Sequence, residues 1–117
     1  MKKNETFRFN YKAMKVGKIR GVREVIIFDD EGMPLSPRQD LKLPALGAVI
    51  ISSAGKLAEL LGKGLTHVEI HTDNDTAIVL APLSGKVYAA VVTDKKSLAK
   101  VVESLVEGGK PEAVANL

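Results

Sequence analysis

Cysteine is absent from the 117 residues, which removes a disulfide framework, a thiolate metal site and a cysteine nucleophile from consideration. Histidine is scarce, with two residues, so imidazole chemistry has only His67 and His71 to draw on. No uninterrupted apolar run approaches the ~20 residues of a membrane span. The opening MKKNETFRFNYK is charged and lacks the apolar core of a signal peptide. These absences predict a soluble cytoplasmic chain of one domain, long enough to bury a core without a metal or disulfide staple. There is no internal repeat and no low-complexity segment.

Charge is present but unevenly placed. Residues 1–23 hold eight Lys or Arg against the single acid Glu5, while the remainder holds nine bases against thirteen acids. Such a basic arm, interleaved with Phe7, Phe9 and Tyr11, suits nucleic acid or an acidic protein surface. The reading preferred is a solvated, partly docked N-terminal segment, and nucleic acid is not the expected partner. Periodicity leaves its conformation open, because Phe7, Phe9 and Tyr11 alternate as in a strand while Phe7, Tyr11 and Met14 share a helical face. The reading adopted is a basic arm and short helix over residues 1–20, helical from about Asn10 to Ile19.

The following segments are better defined. Val25–Phe28 is a β-branched and aromatic run ending in Asp29-Asp30-Glu31-Gly32, where an Asp carboxylate can bond the turn backbone and Gly32 can take a positive φ. A short returning strand is expected at Met33–Ser36, with Pro34 and Pro37 confining it to an edge. Asp40 is the expected N-cap of a long helix from Leu43 to Gly62, ended by Gly62 and Gly64. Strands are expected at Thr66–Thr72, Thr76–Ala81 and Lys86–Thr93, joined as a meander. A final helix, capped by Asp94, should bury Leu98, Val101, Val102 and Leu105, with Gly108-Gly109 stopping it before a loose tail over residues 108–117.

The long helix has two non-polar sides. Leu46, Ile50, Ser53, Leu57, Leu60 and Leu61 form a bulky stripe, expected against the chain's own sheet. Ala45, Ala48, Ser52 and Gly55 form a small-residue stripe, expected to let a second backbone approach. The predicted fold class is α+β: a five-stranded antiparallel sheet with the long helix on one face and the terminal helices on the other.

Catalytic motifs are weak. Alternation puts His67, Glu69, His71 and Asp73 on one side of a strand, a set that could ligate a metal, but a polar strand face explains it as well. Gly47, Gly55 and Lys56 do not make a phosphate loop, since Leu57 stands where a hydroxyl is required. Ser52 and Ser53 lie among apolar helix residues with no base nearby in sequence. No cofactor and no catalytic residue is assigned. Met14, Met33 and Tyr88 read as core fillers, and Lys56 and Glu59 as the rim of a docking groove or a solvated edge.

The element order, the entry Gly21-Val22, the strand Val25–Phe28 closing in Asp29-Asp30-Glu31-Gly32-Met33-Pro34-Leu35-Ser36, and the Ala/Gly/Ser-rich long helix together resemble the Roadblock (dynein light chain) family over about residues 21–107. The resemblance implies a non-catalytic homodimer, or a heterodimer with a paralogous Roadblock protein, formed by antiparallel long helices and paired third strands. It implies a small Ras-like GTPase as partner, with the chain acting as an activating regulator or as an adaptor. Carried onto this sequence, the dimer interface would take Ala45, Ala48, Ser52, Gly55, Val68, Glu69 and Ile70. The GTPase would meet Leu43, Leu46, Gly47, Ile50 and Ile51. A structural scaffold without nucleotide sensitivity, or a nucleic-acid or membrane-surface binder using the basic arm, are the alternatives.

Overall fold

A computed structural model of the chain describes residues 12–35 and 40–106. The aromatic part of the basic arm, the connection around Pro37, the Gly108-Gly109 stop and the tail lie outside the described residues. Helix α1 covers residues 12–17 of those described, and strand β1 runs Val22–Asp29. Then come helix α2 (Lys42–Leu60), strands β2 (Val68–His71), β3 (Thr76–Ser84) and β4 (Val87–Asp94), a 3-10 turn (Lys95–Ser97) and helix α3 (Leu98–Val106).

Among the described residues the sheet has four strands in the order β1-β4-β3-β2, every pair antiparallel. The expected fifth strand at Met33–Ser36 is corrected: it contributes an isolated bridge from Phe28 to Pro34. Pro34 has no N–H to extend a ladder, so pairing is limited to Met33 O accepting from Asp29 N (2.9 Å) and Leu35 N donating to Ile27 O (2.8 Å). The turn itself forms as its residues dictate. Asp29 Oδ1 accepts from the amides of Glu31 and Met33 at 3.0 and 2.9 Å.

Alternation divides the central strands between two cores, which accounts for their nearly continuous apolar sequences. Val79, Ala81, Ala89 and Val91 pack with Val16 of α1 and with Val101 and Leu105 of α3. Leu80 and Ala90 point the other way and pack with Ile26, Phe28, and Ala48 and Ile51 of α2. Each fully buried side chain of the Val, Leu or Phe class contributes roughly 1.5–3 kcal/mol, so the two cores together outweigh any polar contact in the molecule. Met14 and Met33 are exposed, contrary to the expectation that they fill the core, while Tyr88 is partly buried against the Phe28 ring with centroids 5.9 Å apart.

Helix ends follow local chemistry. Asp94 Oδ1 accepts from Ser97 N at 2.9 Å, as expected of an N-cap, although the turn it caps is the 3-10 entry to α3. At α2 the cap position is Leu41, with no side-chain cap bond. Asp40 still serves the helix start, because its Oδ1 accepts from Lys42 N at 2.9 Å. The other end is closed by Gly62 at φ 71, with Gly62 N donating to Glu59 O and Lys63 N donating to Ala58 O. Those two bonds are the paired closure that a left-handed residue just past a helix allows.

Helix α2 has 19 residues with mean hydropathy 1.3 over its most apolar window, of which 22% is buried. By length and composition alone it could cross a membrane.

Candidate interaction surface

Which side of α2 meets the sheet is decided by size. Pro44, Gly47, Ala48 and Ile51 are its buried residues. Gly47 sits where a Cβ would stand 3.2 Å from Phe28 Cζ and 3.3 Å from Leu80 Cδ2, so the helix backbone rests almost directly on two core side chains. The expected assignment of the stripes is therefore corrected. The small residues let the helix approach its own sheet, and the bulky stripe faces outward: Leu46 is 63% exposed, Leu57 64%, Leu60 82% and Leu61 77%.

Residue by residue, the expected dimer-interface set is split by the fold. Ala48 is in the core beside Ile26 and Phe28. Ala45 lies under the β1 turn, where a Cβ on Gly32 would come within 2.8 Å of its Cα. Ser52 is exposed, and Gly55 is partly buried with no neighbour within 4 Å of a built Cβ. Val68 and Ile70 pack beside the α2 core, while Glu69, on the opposite face of β2, is exposed.

The expected GTPase-binding set divides in the same way. Gly47 and Ile51 are buried beneath α2, and Leu43 is packed against that core. Leu46 and Ile50 stay on the outside. Val49, 63% exposed, belongs to the same outward face and had no assignment from sequence. Its signal was available in the small residues opposite it, Pro44, Gly47, Ala48, Ala54 and Ala58, which mark the side that packs closest.

The C-terminal half of α2 stands away from the sheet. Ser52, Gly55, Lys56 and Glu59 border an open cleft of about 360 Å³ whose far wall is Leu65, Pro82, Gly85 and Tyr88. Lys56 and Glu59 are both exposed, on the edge of the outward apolar face.

Strand β2 is paired only to β3, leaving its outer edge unpaired among the described residues. On it, Glu69 bridges the two histidines: Oε2 accepts from His67 Nε2 and Oε1 accepts from His71 Nε2, each at 3.0 Å. His67 Nδ1 is also 3.0 Å from Thr66 Oγ1. These hydrogen bonds to the carboxylate, the one from His71 first and that from His67 next, hold the Glu69 carboxyl below its ordinary range. Asp73, expected with this group, falls in the bend beyond the strand. Among the described residues no group of three His, Cys, Asp or Glu is placed to hold a metal ion.

No protein-family model matches the chain, and no curated protein matches it in sequence. Solved structures do match. A Roadblock/LC7 domain from Streptomyces avermitilis superposes with a TM-score of 0.70 at 13% identity, covering 89% of this chain and 96% of that one. A gliding protein, MglB from Thermus thermophilus, gives 0.61 at 17% identity over 86% of this chain and 87% of its own. An MglB described in a tetrameric arrangement gives 0.61 at 18% identity, covering 86% of each chain. The architecture built from α2 and the four-stranded sheet is thus the fold of Roadblock/LC7 domains.

Proposed function

We propose that this chain is a non-catalytic, cytoplasmic adaptor that pairs through α2 and β2, with itself or with a paralogous Roadblock protein, and presents the pair to a small Ras-like GTPase. The observation that carries the reading is the outward face of α2. Leaving side chains such as Leu57 and Leu60 in water forgoes about 1.5–3 kcal/mol each, and patches of contiguous apolar surface on soluble domains mark interaction sites. The fold shared with a Roadblock/LC7 domain and with MglB supports the choice of partner class. The tetrameric arrangement of one MglB supports association between copies.

Helix α2 carries no arginine, so stimulation of GTP hydrolysis by this chain would act by ordering the partner's switch segments rather than by a finger from this helix. The test is co-elution with a Ras-like GTPase of the same cell, loaded with GDP or with a non-hydrolysable GTP analogue. Preferential retention of the GTP form is the expected result, with single-turnover hydrolysis then separating activator from effector. Equal retention of both forms makes the chain a scaffold. No retention by an intact dimer defeats the GTPase reading.

A further inference from the structure

We infer that β2 carries half of a divalent-metal site, of the kind zinc occupies, and that a second copy of the chain completes it. His67 and Glu69 of one copy would join His71 and Glu69 of the other, twice over in the pair. The inference rests on the pairing through β2 proposed above and adds a site and a ligand to it.

A single chain holds two half-sites. Glu69 Oε2 is 3.0 Å from His67 Nε2 and Oε1 is 3.0 Å from His71 Nε2, so the carboxylate stands between the rings with one oxygen toward each. Zinc bonds of about 2.0–2.1 Å at the tetrahedral angle set two ligand atoms about 3.3 Å apart, so either His–Glu couple is close to a chelating spacing. The rings lie on opposite sides of the carboxylate and do not close on one ion, which is why one chain alone offers no three-residue set among its described residues.

The surroundings suit a ligand set. Val79 and Ala77 of β3 stand opposite Glu69 and His71, so that strand brings no competing cation. Thr66 Oγ1, 3.0 Å from His67 Nδ1, can donate to that nitrogen or accept from it. It therefore holds the ring through the change of tautomer that frees Nε2 for a metal, the usual service of a hydrogen bond behind a ligating histidine.

The backbone supplies the missing half. Thr72 N donates to Thr76 O, so by alternation Val68 and Ile70 bond β3 while His67, Glu69 and His71 turn their N–H and C=O groups to the unpaired edge. A second β2 added antiparallel about a two-fold axis at Glu69 matches residues 67–71 with 71–67. Val68 then meets Ile70 of the second copy on the α2 side. On the other face His67 meets His71 of the second copy, with Cβ atoms about 4.5–5.5 Å apart, and the two Glu69 side chains face each other. An axis at Ile70 would instead set Val68 against Thr72, and His67 against Asp73 in the bend beyond the strand.

Facing carboxylates repel, so the pair is unfavourable in this register without a cation between them. Each ion would meet two imidazole nitrogens and two carboxylate oxygens, a tetrahedral set suited to zinc and not to magnesium, which favours six oxygens. The protein fills every position and leaves none for a substrate, so the site ties association to metal supply.

The test uses the whole chain, stripped with EDTA, dialysed and titrated with zinc chloride, with magnesium chloride as the control. Zinc should bind at about one ion per chain and tighten self-association at least about tenfold by analytical ultracentrifugation, while magnesium does neither. His67→Ala and His71→Ala change side chains outside both cores, and far-UV circular dichroism checks that the variants fold. Each alone should lose tight uptake. Mixed in equal amounts they should regain about a quarter of it, because half of the pairs are then mixed and each mixed pair keeps one of its two sites whole. A dimer that takes up no zinc overturns the site and leaves the pairing standing. A chain that stays monomeric with and without zinc overturns both. Full uptake by either variant alone, or none by the mixture, overturns the sharing of ligands between copies.

Discussion

Gly47 of α2 lies against the ring of Phe28: a Cβ there would stand 3.2 Å from Cζ, closer than side chains ordinarily pack. That contact sets how close the helix comes to the sheet and so decides which of its sides is left outside. Gly47→Val should therefore destabilise the fold by about 1–3 kcal/mol, the usual cost of overfilling a packed site. Urea unfolding followed by circular dichroism measures it, and an unchanged midpoint would show that α2 is not held at this spacing.

Gly55 is the contrasting position on the same helix, with nothing within 4 Å of a built Cβ. Gly55→Ala should stabilise the chain by about 0.5–1 kcal/mol through helix propensity alone. Ala48→Arg, by contrast, forces a charge into the core at a position 6% exposed, and should unfold the chain rather than merely separate two copies. A folded, monomeric Ala48→Arg protein would contradict this placement.

Leu57→Asp and Leu60→Asp alter side chains that are 64% and 82% exposed, so thermal stability measured at low protein concentration should change by less than about 0.5 kcal/mol. If the outward face is a seam, the same variants should weaken self-association at least about tenfold by analytical ultracentrifugation, since a charge would be buried without a partner. Retention of full association by both would move the seam elsewhere.

Glu69 gives a pH signature. Its carboxyl is held below its ordinary value of 4.5 by the hydrogen bonds from His71 and His67, so its stabilising contribution is complete above that value and is lost as pH falls through the lower, folded value. The group is about a third exposed, and screening by water keeps the contribution under about 1 kcal/mol. Comparing Glu69→Gln with the parent by urea unfolding should show a small deficit at pH 7 that closes below pH 4.5. A deficit independent of pH would assign Glu69 a steric role instead.

Much of the architecture can be read from local patterns. The β-branched runs locate the strands, Asp94 and Gly62 locate helix ends, and the turn at Asp29–Gly32 forms with the expected carboxylate bonds. Two features could not be read this way. A helix with bulky residues on one side and small ones on the other suggests that the bulky side is buried, because burial of large apolar groups usually dominates. Here the geometry of Gly47 on Phe28 and Leu80 reverses that preference: the small residues Pro44, Gly47, Ala48, Ala54 and Ala58 mark one side of the helix, but the contact that makes their smallness decisive joins residues far apart in sequence. The segment after Gly32 has strand composition, but Pro34 withholds the hydrogen that a ladder needs. The His67–Glu69–His71 group follows from alternation, while the position of Asp73 beyond the strand depends on where pairing with β3 stops.

The two margins of the sheet are unequal. Beside β1, the bridge to Pro34 and the bonds to Met33 and Leu35 occupy the backbone, whereas β2 offers its outer groups to any extended chain that arrives. The margin at β1 is thus interrupted at its turn end, from Ile27 to Asp29, while the margin at β2 carries no backbone pair among the described residues, so an arriving strand finds its continuous ladder at β2.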